Sequence, residues 1–255
     1  MEHHTASSGK KIFCVGAGKS GTHSIHSIFE GVCRSMHEPE NSELIRQIID
    51  YHNHLAGDSE IREFVKSRCA RLNLDVDSSQ LNFFILPFLL EAFPEALFIL
   101  TIRDCYTWLD SFINHSLTYP AAEKWILLRD IRFGKRVDHY PPEEQVLNSN
   151  GLYSLEGYLK YWNYHNQEVI SSVPGDKLLI IRTDKISDSI GELVRFSGYG
   201  LKDISSSQKH AFINPNKFNI LRKIDPRYLE EKIKKYCSNL MEQYFPEINS
   251  INDVL

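Results

Sequence analysis

Lys19 stands inside a cluster of glycines, in the stretch KIFCVGAGKSGTHSI at residues 11 to 25. Those residue types at that spacing suit an anion. Glycine lets backbone N–H groups approach oxyanion oxygens, lysine adds a point charge, and a helix starting just beyond adds its positive end. Two familiar patterns overlap here, one broken at a glycine and the other complete in its letters but poor in its setting. Gly18-Lys19-Ser20 reads as the end of the G-x-x-x-x-G-K-[ST] loop of nucleotide kinases and nucleotide-binding modules, but the first glycine of that pattern is replaced by Phe13. Gly16, Gly18 and Gly21 match the G-x-G-x-x-G of Rossmann dinucleotide-binding proteins, a pattern with many chance matches. Its partner is an acidic residue about 20 positions on, at the end of a second strand. Glu38 stands at that distance, yet GVCRSMHEPE reads as a poor strand and Pro39 follows at once.

A second group of chemical interest is an arginine. In FPEALFILTIRDCYTWLDSFINH an apolar strand pattern stops at Arg103, and Ser111 follows eight positions later in a helical pattern. The fork of guanidinium donors matches phosphate oxygens. A kinase would want an aspartate there to hold Mg²⁺; an arginine favours an anion over a metal. A third stretch, GDKLLIIRTDKISDSIGELVRFSGY, is again a strand followed by a helix. In this order, from residue 11 to about 200, the three stretches resemble those of the sulfotransferases that use 3′-phosphoadenosine 5′-phosphosulfate (PAPS).

The resemblance implies a fold, a reaction and a set of residues. The GAGKSGT loop would take the 5′-phosphosulfate with Gly18, Lys19, Ser20, Gly21, Thr22, His23 and Ser24, and Arg103 and Ser111 would take the 3′-phosphate. The sulfuryl group would pass from PAPS to a hydroxyl or amine of a small-molecule acceptor by in-line displacement, leaving 3′-phosphoadenosine 5′-phosphate (PAP). Lys19 would stabilise charge on the leaving group, and no metal is expected. The acceptor's proton needs a base, and HEP at residues 37 to 39 resembles the glutamate site of the Golgi-type, tyrosyl-protein and some bacterial branches. Glu38 is that base, with His37 and Glu40 as the alternatives. The family usually has a hydroxyl residue where this chain has His23, so Ser24 would replace any contact made by that hydroxyl. A late basic segment, QKHAFINPNKFNILRK, loosely resembles the loop that closes over the nucleotide; it holds Lys209, Asn214, Asn216, Lys217, Arg222 and Lys223. Tyr153, Tyr158, Tyr161, Trp162 and Tyr164 read either as the lining of an aromatic acceptor pocket or as a core stripe.

These groups need strands and helices to place them. Apolar runs at KIFCVGAG, ALFILTI and KLLIIRT read as buried strands. Helical spacing marks THSIHSIFEGV, SELIRQIIDYHNHLA, EIREFVKSRCARLN, CYTWLDSFINH, SLEGYLKYWNYHNQEVISSV, SDSIGELVRFSGY and PRYLEEKIKKYCSNLMEQYF, and QLNFFILPFLLEAF reads as a buried helix kinked at Pro87. Alternating strands and helices predict a three-layer α/β fold, a mainly parallel central sheet flanked by helices, with a P-loop-like strand–loop–helix at its start. Residues 1 to 10 read as a flexible polar leader without the apolar core of a signal peptide, and 11 to 255 as one sulfotransferase-like domain. Residues 134 to 152 are polar with two prolines, and read either as a surface loop or as a lid on the acceptor side. A net charge of −4 excludes a general nucleic-acid binder, and no apolar run approaches the roughly 20 residues of a membrane helix. Five scattered cysteines without a C-x-x-C read as reduced thiols. The expectation is a cytoplasmic enzyme, monomer or homodimer.

Overall fold

The computed structural model describes residues 10–136, 139–200 and 216–255. Five strands form one sheet in the order β2-β3-β1-β4-β5, and every pairing is parallel. They are β1 (Ile12–Cys14), β2 (Ser35–His37), β3 (Val76–Ser78), β4 (Leu97–Ile102) and β5 (Leu178–Arg182). Strands β1, β4 and β5 are the three apolar runs of the sequence, and all six residues of β4 are buried. The other two strands were not legible. GVCRSMHEPE, read above as a poor strand, carries β2, and the LDVDSS segment carries β3. Both are only three residues long and mostly polar, so neither shows an apolar run. They become strands because β1 offers an open edge: β3 pairs along it (Ile12 with Val76, Cys14 with Ser78) and β2 pairs along β3.

Ten helices accompany the strands among the described residues: α1 (Thr22–Phe29), α2 (Asn41–His52), α3 (Asp58–Leu72), α4 (Leu86–Ala92), α5 (Cys105–Thr118), α6 (Glu123–Phe133), α7 (Gln145–Ser149), α8 (Leu155–Ser172), α9 (Ile190–Ser197) and α10 (Pro226–Tyr244). The expected α/β class is therefore observed. QLNFFILPFLLEAF is not one kinked helix. Gln80–Ile85 form a 3₁₀ turn, and Pro87 lies in the first turn of the short α4, where a missing N–H costs nothing.

The described residues divide into two compact units, one of 10–102 and 168–200, the other of 103–136, 139–167 and 216–255. The first holds the sheet. Its core joins Ile12, Cys14, Val76, Ile99 and Ile181 of the strands to Ile25, Ile28 and Phe29 of α1 and Leu193 of α9. A buried ion pair supports the short strands. Arg68 of α3, fully buried, donates to the Asp77 carboxylate of β3 at 2.7 Å and to the carbonyl of Pro39 at 3.0 Å.

The second unit is built on aromatic rings. Phe112, Phe133, Tyr158 and Tyr161 pack at centroid distances of 4.6 to 5.9 Å. Of the aromatic stripe, Tyr153, Tyr158, Tyr161 and Trp162 are buried here and only Tyr164 is exposed, so the stripe is core. Gly157 permits the approach of α8 to α6, since a Cβ there would lie 2.2 Å from the Phe133 carbonyl oxygen. The described part of 134–152 is no loose polar loop. Buried Glu144 accepts from the Leu155 N–H at 2.8 Å and the Tyr228 hydroxyl at 2.7 Å, Leu147 is buried, and the Tyr140 hydroxyl donates to the Leu152 carbonyl at 2.7 Å.

Removing the arginine of the buried pair would strand the Asp77 carboxylate in the core. Arg68→Ala is expected to cost about 3–5 kcal/mol of unfolding free energy, the scale for breaking one side of a buried ion pair. Urea unfolding of the two proteins measures it, and a change below about 1 kcal/mol, the scale of an exposed pair, would reject this support for β3.

Candidate active site

Parallel strands release their loops from one edge, the carboxyl edge, and the chemistry-bearing residues of the first unit lie there. The loop after β1 is shaped by close contacts. A Cβ on Gly16 would fall 2.0 Å from the Thr101 hydroxyl oxygen of β4, so only glycine fits. Lys19 adopts φ +71° and Gly21 φ +109°, a double left-handed twist that turns the chain into α1. Ser20 closes the loop. Its hydroxyl donates to the Ala17 carbonyl at 2.6 Å and sits 3.0 Å from the Thr101 hydroxyl, while its own carbonyl accepts from the Thr183 hydroxyl. The buried Ser20 side chain is thus engaged by the loop and by β4.

Helix α1 begins at Thr22 behind Gly21, with no side-chain cap and no acidic residue in its first turn. An uncapped helix start without a competing carboxylate favours an anion. Thr22 is buried and its hydroxyl lies 3.3 Å from Nε2 of His37; its carbonyl accepts from Ser78 at 2.6 Å. Ser24 is half-buried on α1, and Nδ1 of His23 lies 3.5 Å from the Ser27 hydroxyl. Lys19 is half-buried.

The HEPE segment follows β2. The Glu38 N–H donates to the Ser78 carbonyl at 3.0 Å, extending the strand pairing by one step, and Glu38 and Glu40 both take positive φ, 47° and 52°. Backbone strain of that kind persists only where surroundings enforce it. Helix α3 does so: Arg68 holds the Pro39 carbonyl, and Arg71 grips the Glu40 carboxylate with two bonds of 2.9 and 2.7 Å. Those bonds hold the Glu40 carboxyl below its usual range and engage both its oxygens. Glu38 has a different partner, the side-chain amide of Gln80, which donates to Oε1 at 2.6 Å. His37 is a poor base, its pKa pushed down to about 4 by burial first and then by neighbouring His23 and His26. The His23 and His37 rings stand 4.9 Å apart and the His26 and His37 rings 6.3 Å.

In the second unit, Arg103 directly follows β4. Its Nε donates to the Thr107 hydroxyl at 2.9 Å and its carbonyl accepts from the Trp162 indole at 3.0 Å. Asp104 caps α5 through the Thr107 N–H at 2.8 Å. Ser111 is half-buried on α5. Residues 216–218 run along the same helix. Asn216 reaches Thr118 at 3.4 Å, Lys217 pairs with the buried Asp110 at 3.2 Å, and the Phe218 N–H donates to Asn114 at 2.9 Å. Lys209 and Asn214 lie outside the described residues. Three residues escaped sequence reading: Gln80, Thr101 and Thr183. Thr183 directly follows β5, so the rule that ligands meet strand carboxyl ends could have marked it; Gln80 and Thr101 lie in or beside runs that carried no such signal.

The profile of the sulfotransferase-domain family matches residues 11–200. Among solved structures, the crystal structure of a sulfotransferase from Alicyclobacillus acidocaldarius is similar at 12% identity with a TM-score of 0.50, over 92% of this chain and 95% of that one; this likeness bears on the fold. No curated protein matches by sequence. Among the described residues no helix is long and apolar enough to cross a membrane, and no three His, Cys, Asp or Glu side chains are grouped to hold a metal ion.

The His37 shift has a thermodynamic consequence. In the unfolded chain an imidazole binds its proton near pH 6.5, in the folded protein only near 4. Between those values the unfolded state binds more protons, so this contribution to stability is complete above pH 6.5 and is lost as pH falls toward 4. Urea unfolding at pH 7 and pH 4.5 is expected to show a smaller acid-induced loss for His37→Gln than for the wild type; equal losses would reject the assignment.

Proposed function

The chain belongs to the sulfotransferase-domain family, and from that premise we propose that it transfers the sulfuryl group of PAPS to a hydroxyl or amine of a small-molecule acceptor. One observation carries the reading: the Glu38 carboxylate is tied, through a single side chain, to the glycine loop after β1. Gln80 bonds Glu38 with its amide nitrogen and lies against Gly18 with its oxygen. An anion-type loop thus stands beside a carboxylate held by a neutral amide, the pairing needed to accept an activated sulfate and deprotonate its acceptor.

The loop takes the 5′ end of the donor through the backbone of Gly18, Lys19, Gly21 and Thr22 and the start of α1, with His23 and Ser24 on the first turn. Ser20 contributes by holding the loop's shape. The donor supplies an electrophilic sulfur with a phosphate leaving group. The acceptor oxygen or nitrogen forms a bond to that sulfur as the bond from sulfur to the bridging phosphate oxygen breaks. Glu38 takes the acceptor's proton, and the Lys19 ammonium offsets the charge that grows on the leaving oxygen. Arg103 and Ser111 are assigned to the 3′-phosphate, and Asn216 and Lys217 to the nucleotide side. The strand order argues against a dinucleotide site. In that fold the strand bearing the acidic residue neighbours β1; here β3 separates β2 from β1. The kinase pattern also fails in structure, because Phe13 lies inside β1 rather than in the loop.

Glu38→Gln is expected to lower turnover by roughly 10²–10⁴-fold, the usual contribution of a positioned base, with PAP affinity near wild type. Lys19→Ala is expected to lower both. Steady-state kinetics with calorimetric PAP titration separates the two, and a Glu38→Gln enzyme at wild-type turnover would refute the base. Arg103→Ala is expected to weaken PAP binding by about 1.5–3 kcal/mol while leaving AMP binding unchanged, since AMP has no 3′-phosphate. Equal losses for the two nucleotides would remove Arg103 from that role.

A further inference from the structure

We infer that Gln80 is a positioning residue for the reaction, a neutral clamp that holds the Glu38 base in register with the donor loop. The inference rests on the sulfotransfer reading above and adds a residue to it. Gln80 is two residues beyond the end of β3, the strand between β2, which leads to Glu38, and β1, which leads to the loop. Its amide touches both. Nε2 donates to Oε1 of Glu38 at 2.6 Å, a short bond to a charged acceptor. Its Oε1 lies 2.3 Å from where a Cβ on residue 18 would stand, so the amide rests on the bare Cα of Gly18. Gly18 is not among the glycines with left-handed backbone, so its missing side chain serves space rather than torsion, and the space is filled by Gln80.

Gln80 is itself fixed to the sheet. The preceding Ser79 caps the 3₁₀ turn by accepting from the Leu81 N–H at 3.1 Å and bonds the Cys14 carbonyl through its own N–H. Asn82, two positions on, donates to the Cys14 carbonyl at 3.2 Å and the Asp77 carbonyl at 3.1 Å. The backbone on both sides of Gln80 is therefore anchored to the ends of β1 and β3. A glutamate side chain is long and loses much rotamer freedom on ordering. Binding one oxygen to Gln80 restricts where the carboxylate can sit and leaves Oε2 for the acceptor. The clamp is neutral, in contrast to Glu40, whose two oxygens are both taken by Arg71. An arginine in place of Gln80 would oppose proton uptake with a full charge, whereas an amide orients without one.

The test uses the full-length protein, with Gln80→Leu (similar volume, no donor) and Gln80→Glu (same shape, like charge), each in the wild-type and Glu38→Gln backgrounds. Turnover with PAPS, acceptor KM and calorimetric PAP affinity are measured. Gln80→Leu is expected to lower kcat at least about tenfold with PAP affinity within about twofold of wild type, and Gln80→Glu to lower kcat further. In the Glu38→Gln background Gln80→Leu is expected to add less than about a twofold loss, because residues acting as a unit are not additive. Should Gln80→Leu misfold, Gln80→Ala carries the same comparison. Wild-type kcat in the Gln80 variants, or losses that multiply with Glu38→Gln, would overturn the clamp while leaving the sulfotransfer reading in place. A wild-type protein that does not bind PAP, or a fully active Glu38→Gln, would instead overturn that reading and the clamp with it.

Discussion

Parallel pairing throughout the sheet is the constraint on which the site depends. With every strand running the same way, all five carboxyl ends lie on one edge, and the residues just after each strand are delivered there. Within the first unit the loop succeeds β1, Glu38 succeeds β2, Gln80 comes just after β3 and Thr183 after β5. Neighbouring strands are about 4.8 Å apart, so β2 lies roughly 10 Å from β1. At that distance the Glu38 carboxylate, just past β2, meets Gly18 through Gln80, borne just beyond the strand between them. The order β2-β3-β1 therefore makes a residue at the end of β3 part of the arrangement.

Rigidity at this edge is gained from both sides. Thr101 and Thr183 hold the loop through Ser20, and Gly16 lies tightly against β4. On the other side, Arg68 and Arg71 of α3 hold Pro39 and Glu40, which confines the strained backbone at Glu38. Each bond alone is worth about 1 kcal/mol net. Their combined effect is geometric: groups that react must be held near their productive positions before substrate arrives. Arg68 and Arg71 thus play unlike parts. Arg71 takes Glu40 out of contention as a base, while Arg68 supports the segment from inside the core.

The second unit follows a different logic, with interlocked rings in place of a sheet. Phe112, Phe133, Tyr158 and Tyr161 make its centre, and Trp162 extends from that layer to hold the Arg103 carbonyl. Thr107 orients the arginine's Nε, and Asp104 fixes the start of α5 beneath it. A guanidinium at the end of a strand is thereby oriented by the helix next to it in the chain, a local device that needs only the R-D-x-x-T order.

Local pattern carried much of this into the sequence. The glycine loop, the three apolar strands, the helix that opens at Thr22 and the Arg103–Asp104 corner were all legible, because each depends on neighbours a few residues apart: apolar runs, helical spacing, strand-to-helix loops. The residue types proposed for the site were picked out there too, since anion binding and proton transfer demand a narrow set of side chains. The sequence could not show which distant segments meet. SMH and VDS are too short and polar to announce strands, and they are strands only because the edge of β1 waits for them. The partners that set Glu38 apart from Glu40 likewise stand far off in the chain, Arg71 at 31 positions from Glu40 and Gln80 at 42 from Glu38. Tertiary structure also made the aromatic stripe a core and Gln80 a neighbour of Gly18. Such contacts arise from strand order and helix packing, which depend on the whole chain's burial of apolar surface, and no short window of sequence contains that information.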